Sequence, residues 1–350
     1  MKITTVGIDL AKNAMQVHAV DDKGKVVLKK SMKRERLLSW AANLPPCLIG
    51  MEACGSAHHW YRKLSAYGHT VKLIAPQYVK AYVKTHKNDA IDAEAVCEAV
   101  GRPNMRFVAP KNIEQQAVLA LHTARQGFVK ARTAQGNQIR GLLAEFGVVL
   151  PVGLASLFKG LPAVLEDAAN ELPGPVRALM ARLFEHLKLL DRQVAELEGD
   201  ITRWHRDNES SLRLAGRRGI GPLTASALVA SVGDGKQYKN GRQLAAALGI
   251  VPRQHSTGGK PTLLGISKHG DKYLRTLLIH GARAVVQSVQ KRGAAATGAE
   301  DQWIHALLAR RHKNVVAVAV AAKTARIAWA MLAKAEDYRA DVPHRANVGA

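Results

Sequence analysis

Acidic residues, aromatics and cysteines are the scarce side chains of this 350-residue chain, and each shortage excludes something. Only 28 Asp and Glu stand against 51 Lys and Arg, a formal net charge of +23. Charge of one sign on this scale calls for a polyanion or a very acidic partner, nucleic acid first among them. Aromatic residues make up 5% of the chain, too few for recognition mainly by base stacking. Sequence readout by the protein itself is therefore expected to be poor. The three cysteines, Cys47, Cys54 and Cys97, are odd in number and lack CxxC spacing, which argues against both a zinc site and a disulfide framework. Their expected role is buried packing. No apolar run is read as approaching the roughly 18 residues of a membrane span. MKITTVGIDL also lacks the apolar core and cleavage site of a signal peptide, so the expected location is cytoplasmic, with no membrane partner.

What is present suffices for two or three compact domains, because 47% of the residues are hydrophobic. ITTVGIDL, residues 3–10, is a β-branched run ending in Asp9. MQVHAVDDKGKVVLKK then alternates apolar residues around Asp21-Asp22-Lys23-Gly24, which predicts a strand followed by a hairpin. A helix over about 33–42, a strand over 47–52, a helix over 57–65 and a strand over 70–74 follow. Pro76 suits the first turn of another helix. AIDAEAVCEAV continues helically to Gly101, and residues 105–108 make a short last strand. Hairpin strands followed by alternating strand and helix predict an α/β domain with a mixed sheet over residues 1–110.

From Ile113 to about Phe146 a long helix carries Arg125, Lys130, Arg132 and Arg140, and a loop rich in Pro and Gly is expected over 147–175. A second long helix, 176–208, has apolar residues at 183, 187, 190, 194, 197, 201 and 204, the spacing of a coiled-coil seam. Periodicity fixes the face but not its partner: either two chains meet here or the helix folds back on the first. These helices form a spacer over 111–209. A mainly helical region is expected over 210–340, then a polar tail over 341–350. RRGIGPLTASALVASVG opens that region with the Gly-x-Gly-Pro turn of a helix-hairpin-helix, whose backbone N–H groups can hold a phosphate. Arg217 and Arg218, just before the turn, favour that reading over an ordinary helix connection. Between Gly241 and Ala299 the sole acidic residue is Asp271, against nine Lys and Arg. A final helical segment is expected over Trp303–Ala335.

Four acids of the first domain stand out: Asp9, Glu52, Asp89 and Asp92, each ending a strand or starting a helix. Asp89 and Asp92, in KNDAIDAEA, share a helix face because i and i+3 are neighbours. Clustered carboxylates repel unless a cation sits between them, and hard oxygen ligands suit Mg²⁺ or Mn²⁺. Two such ions can activate an attacking oxygen and stabilise a leaving one in phosphodiester chemistry. The bland alternative makes Asp89 an N-cap and Asp92 a favourable first-turn charge. Glu52, ending the apolar strand of LIGMEACGS, is harder to explain as a solvated charge. GIDLAKN is also similar to the phosphate-binding first hairpin of actin-like kinases, but no further Gly-rich nucleotide loop accompanies it.

With Asp9, Glu52, Asp89 and Asp92 in this order, the first domain resembles the DEDD transposases of the insertion sequence 110 family. KNDAIDA looks like the family's Lys-x-Asp-x-x-Asp-Ala signature. LGIVPRQHSTGGKPTLLGISKHGDKYLRTLLIHGARA, residues 248–284, resembles the family's C-terminal transposase domain and is closest in wording to the 1111 group. The resemblance implies a RuvC-like, that is ribonuclease-H-like, first domain whose four carboxylates bind Mg²⁺. It implies a bacterial, nucleoid-associated enzyme that excises and inserts its element through double-stranded circular DNA. A structured bridge RNA would pair with donor and target DNA. Homodimers would assemble into homotetramers, the long helices contributing. The RuvC-like domain of one subunit would complete an active site with the C-terminal domain of another, where a serine forms a covalent phosphoserine link to DNA.

Here the candidate for that serine is Ser256. A hydroxyl is a poor nucleophile until a metal or base activates it, and Arg253, Lys260 and Lys268 could offset charge developing on phosphate. The plainer reading of HSTGG is a polar turn. The family commonly has Ser directly before Gly, a position held here by Thr257, which remains the fallback. Arg275 and Arg283, eight apart on DKYLRTLLIHGARAV, are expected to share a helix face and, with Arg217 and Arg218, to contact nucleic-acid phosphates. A solvated face is the ordinary alternative. Two competing functions remain: a hydrolytic RuvC-type junction nuclease that needs no serine, and a nucleic-acid-binding scaffold whose acids only cap and pair.

Overall fold

The computed structural model describes residues 2–83 and 88–339; Lys87 of KNDAIDA and the tail 341–350 lie outside them. The chain divides into two compact units, Met1–Asn112 and Ile113–Ala350. In the first, β1 (Thr5–Asp9), β2 (Ala14–Val20) and β3 (Val26–Lys33) precede α1 (Leu37–Ala42), β4 (Leu48–Glu52), α2 (Ala57–Ser65) and β5 (Thr70–Ile74). Then come α3 (Pro76–Val79), α4 (Asp89–Val100) and β6 (Phe107–Val108). The sheet order is β3-β2-β1-β4-β5-β6. β1 pairs antiparallel with β2 and parallel with β4, β4 is parallel to β5, and β6 closes the edge antiparallel. This is the mixed α/β sheet expected from the sequence.

Side chains alternate across a strand, and that alternation sorts the two faces. Val6, Ile8, Ile49, Met51, Val71 and Leu73 point to one side, where they pack with Leu37 of α1 and with Trp60 and Leu64 of α2. Ile8 and Met51 are fully buried, each worth about 1.5–3 kcal/mol against exposure. The opposite parity, Gly7 and Gly50, faces α4. A Cβ on Gly7 would stand 2.2 Å from the Ala93 carbonyl oxygen, and one on Gly50 2.7 Å from Val100 Cβ. Only glycine lets α4 lie this close to the sheet. Asp9 and Glu52 share that parity, so the strands present both acids on the face that α4 covers.

The second unit is mostly helical. Its elements are α5 (Ile113–Ala144), α6 (Leu154–Glu166), α7 (Gly174–Asp207), α8 (Glu209–Ala215), α9 (Pro222–Val232) and α10 (Gly241–Ala247). A hairpin of β7 (Pro252–Gln254) and β8 (Leu263–Ile266) follows, then α11 (Lys272–Arg292), α12 (Ala299–Leu308) and α13 (Lys313–Lys334). α7 folds back antiparallel on α5 within the chain: Arg125 pairs with Glu198 and Arg132 with Asp191, while His186 meets Gln135. The seam residues Leu187, Leu190, Val194 and Ile201 are buried. Of the two partners open for that seam, the described residues supply the one in the same chain.

His122 binds three of these helices together. Ser226 donates its hydroxyl proton to the Pro222 carbonyl at 2.7 Å, so it accepts from His122 Nε2–H at 3.0 Å. His122 Nδ1 is then left to accept from the Tyr273 hydroxyl at 2.9 Å, a tautomer assigned from the network. Burial first, then the nearby Arg125, lowers His122 to about 4.

Three expectations are corrected. The stretch 147–175 contains α6 despite Pro162, because Leu157 and Leu161 bury against α5 and α7 and that burial outweighs the breaker signals. The last segment is two helices, interrupted at residues 309–312, with His312 capping α13. And α13, against the expectation of no such run, is long and apolar enough to cross a membrane; half of it is buried in the helical core with α11 and α10.

Candidate functional site: a carboxylate centre

α4 runs antiparallel to β1, since Gly7 lies against Ala93 and Cys97 while the Cys97 thiol reaches the Thr5 carbonyl. The helix N-terminus therefore meets the carboxyl end of the strand. Asn88 caps it by accepting from Ala90 N–H at 3.0 Å, and Asp89 and Asp92 occupy its first turn. Their position there is favoured by the helix dipole, which accounts for them one at a time. It does not account for their company. Carboxylate oxygens of Asp9, Asp89 and Asp92 all lie within 4.8 Å of one another. Glu52 ends β4 one residue beyond the Ile8 and Met51 register pair, beside Asp9 in the sheet. Burial first, then the charges of Asp89, Asp92 and Glu52, pushes the Asp9 carboxyl up to about 6. Such a group is stabilised when a divalent cation neutralises the cluster, and three clustered carboxylates are hard oxygen donors of the kind such a cation takes, Glu52 not being among the three that converge.

In the second unit Ser256 stands exposed on the β7/β8 hairpin. Thr257-Gly258-Gly259-Lys260 closes it, with positive φ at both glycines, 55° and 74°, and Lys260 N–H donating to the Thr257 carbonyl at 3.0 Å. This is the primed turn that matches strand twist. Ser256 Oγ accepts from Gln254 Nε2 at 2.9 Å and from Thr262 N–H at 3.2 Å. Two donors hold the oxygen and leave its proton unassigned to any carbonyl.

The basic residues divide. Arg253, Lys260, Lys268 and Arg283 are exposed. Arg217 is 1% exposed and forms a two-pronged pair with Glu300. Burial pushes Glu300 up, but Arg217, Lys323 and Arg218 together outweigh it and the net shift is downward. Arg218 is joined to Asp301 at 2.5 Å, an acid that Arg292 also holds at 2.7 Å. Both arginines expected to hold a phosphate thus face protein carboxylates 83 positions along the chain, Arg217 buried and Arg218 partly exposed. Arg275 is buried and donates to the carbonyls of Leu248 at 2.9 Å and His269 at 3.3 Å. Arg283, eight residues on and roughly 80° round the helix, is exposed instead.

Sequence reasoning missed Gly7 and Gly50, which position the acids, and the support that Arg275 gives the serine hairpin. Isolated glycines inside apolar strands were a usable signal for the first.

Comparisons with known proteins identify the family. Residues 212–297 match the family described as Transposase IS116/IS110/IS902 family, and residues 6–147 match the IS110-type DEDD family described as Transposase. The chain is 50% identical to a probable family 20 transposase of Pseudomonas aeruginosa over 97% of its length and 99% of the relative's. It is 45% identical to the transposase for insertion sequence element IS1328 of Yersinia enterocolitica, covering 93% and 96% of the two chains. With the transposase for insertion sequence element IS1111A of Coxiella burnetii the identity is 43%, over 96% and 92%. The chain therefore belongs to the IS110/IS116/IS902 family of transposases, DNA-cleaving and strand-transferring enzymes with a DEDD transposase domain.

Proposed function

We propose that the protein catalyses Mg²⁺-dependent cleavage and exchange of insertion-sequence DNA through a covalent serine link, with a bridge RNA selecting donor and target. The observation that carries the metal-dependent part is the convergence of Asp9, Asp89 and Asp92 within 4.8 Å, with Glu52 beside Asp9. The strand order and the acids at the strand ends support a RuvC-like, ribonuclease-H-like first unit. Asp9, Glu52, Asp89 and Asp92 would hold the cation, Mn²⁺ being an alternative. When bound, the metal supplies charge neutralisation at the scissile phosphate.

Ser256 is the proposed nucleophile because it keeps the serine chemistry, with Thr257 the fallback. As the Oγ–P bond forms, the hydroxyl proton leaves to water and the P–O bond to the deoxyribose breaks, the leaving oxygen taking a proton. Re-attack by a second strand's hydroxyl reverses the link. Arg253, Lys260 and Lys268 stand on or next to the same hairpin and would bind the phosphate oxygens. A low aromatic content is compatible with base pairing by RNA doing the recognition. Self-association into dimers and tetramers belongs to the same proposal.

The test is full-length protein with Mg²⁺, donor and target DNA and the RNA that copurifies with it, resolved on a denaturing gel. A protein–DNA adduct is expected in the wild type and in Thr257→Ala but not in Ser256→Ala, and Asp89→Ala should lose both adduct and metal binding. Unchanged strand exchange by Ser256→Ala would overturn the covalent step and leave a hydrolytic carboxylate enzyme. Sequencing of the copurified nucleic acid tests the guide, and the mass in solution tests the assembly.

A further inference from the structure

We infer that the outward side of α2, with Arg34 beside it, is a track for the DNA phosphate backbone leading to the carboxylate centre; this rests on that centre being the cleavage site. α2 begins five residues beyond Glu52, so it starts at the strand-end edge that carries the acids, on the sheet face opposite α4, and a backbone following it reaches them by crossing that edge. His59, Arg62 and Lys63 are spaced i, i+3 and i+4 and share one face, while Trp60 turns inward and is buried. The Arg34 guanidinium lies 5.0 Å from the Trp60 ring centroid and is close enough to His59 for its charge to be felt there, a further cation beside that face. Arg62 is fixed by donating to the Lys111 carbonyl at 2.7 Å, and His58 accepts from Lys111 N–H at 3.2 Å. The patch is thus held in place by the fold.

Among the described residues no acid pairs with its cations. Between Asp22 and Asp89 the sequence has thirteen Lys and Arg but only two acids, Glu35 and Glu52. Among the described residues, Arg34, Arg62, Lys63 and Glu35 make no ion pair. His59 instead feels burial, then Lys63, Arg62 and Arg34, all of which lower its pKa. An ordinary solvated helix face mixes signs; this one lacks the acids to do so. From the start of α2 to Lys63 is about 9 Å along the axis, the rise of two to three phosphates of one duplex strand at about 3.4 Å each. DNA is favoured over RNA as occupant because the track leads to the centre assigned to cutting DNA.

Duplex DNA binding by the full-length protein, followed by fluorescence anisotropy against salt without divalent cations, tests the inference. Lys63→Ala is expected to weaken binding several-fold and to reduce the slope of log K against log salt by about 0.9, one counterion's worth. Lys63→Glu should weaken it further, and Arg34→Ala with His59→Ala should add to the loss. Mn²⁺ binding should persist in all of them, whereas Asp9→Asn should lose Mn²⁺ and keep the DNA slope, which separates failure of the track from failure of the metal site. A photoreactive residue at position 63, in the protein with its copurified RNA, should crosslink to DNA. An unchanged slope, an equal loss from Lys23→Ala at the distant β2–β3 turn, or crosslinks to RNA alone would each overturn the track.

Discussion

At Asp9 a carboxyl is half-buried among three others, and its stability consequence has a definite sign. Its folded value, about 6, exceeds the ordinary unfolded value near 3.9. Below about pH 3.9 both states are protonated and nothing is lost. As pH rises towards 6 the unfolded chain ionises first, and stability falls and stays lower above 6. Allowing for solvent screening at this half-exposed position, the loss is about 1 kcal/mol. Asp9→Asn should therefore raise the melting temperature of metal-free protein at pH 8 and leave it unchanged below about pH 3.9, while added Mg²⁺ should stabilise the wild type alone. His122 has the opposite sign. Its folded value, about 4, lies below the unfolded value near 6.5, so stability present at neutral pH is lost as pH falls from 6.5 to 4. The buried ring makes this worth up to about 3 kcal/mol. His122→Gln, which keeps hydrogen-bonding groups without titrating, should flatten that part of the stability profile in thermal melts. Neither shift was legible in the sequence, since burial is the leading cause of both and only the folded chain creates it.

Among the elements, α4 shows how a helix is aimed. Gly7→Ala would drive a methyl group into the Ala93 carbonyl at 2.2 Å, and backbone cannot yield as a side-chain tip can. The expected cost is about 3 kcal/mol, with Mn²⁺ affinity, read by titration calorimetry, lost even though every carboxylate remains. Gly50→Ala meets the side chain of Val100 and should cost less. In the second unit the β7/β8 hairpin depends on Arg275, whose guanidinium joins the carbonyls of Leu248 and His269. Arg275→Ala should raise amide exchange through residues 252–266 while leaving α11 protected. The hairpin itself was readable only as a polar turn, because three- and four-residue strands carry too little alternation. Long helices such as α5 and α7 were readable, since many turns repeat one seam.

On the scale of the whole molecule, +23 of net charge predicts DNA binding dominated by counterion release. With six or more phosphate contacts, affinity should fall by about 10³ or more between 50 and 200 mM salt; a shallow dependence in a binding titration would contradict this. Charge balance, the α/β order of the first 110 residues, the four acids and the family resemblance were all determined by the sequence alone, because composition and short periodic patterns need no knowledge of distant neighbours. Tertiary structure decided which acids converge, that α7 folds back on α5, and that Arg217 and Arg275 serve the protein interior. Those outcomes depend on close approach between residues far apart in the chain. Gly7 against Ala93 and Arg217 against Glu300 are contacts that the folded backbone creates, and no local pattern encodes them.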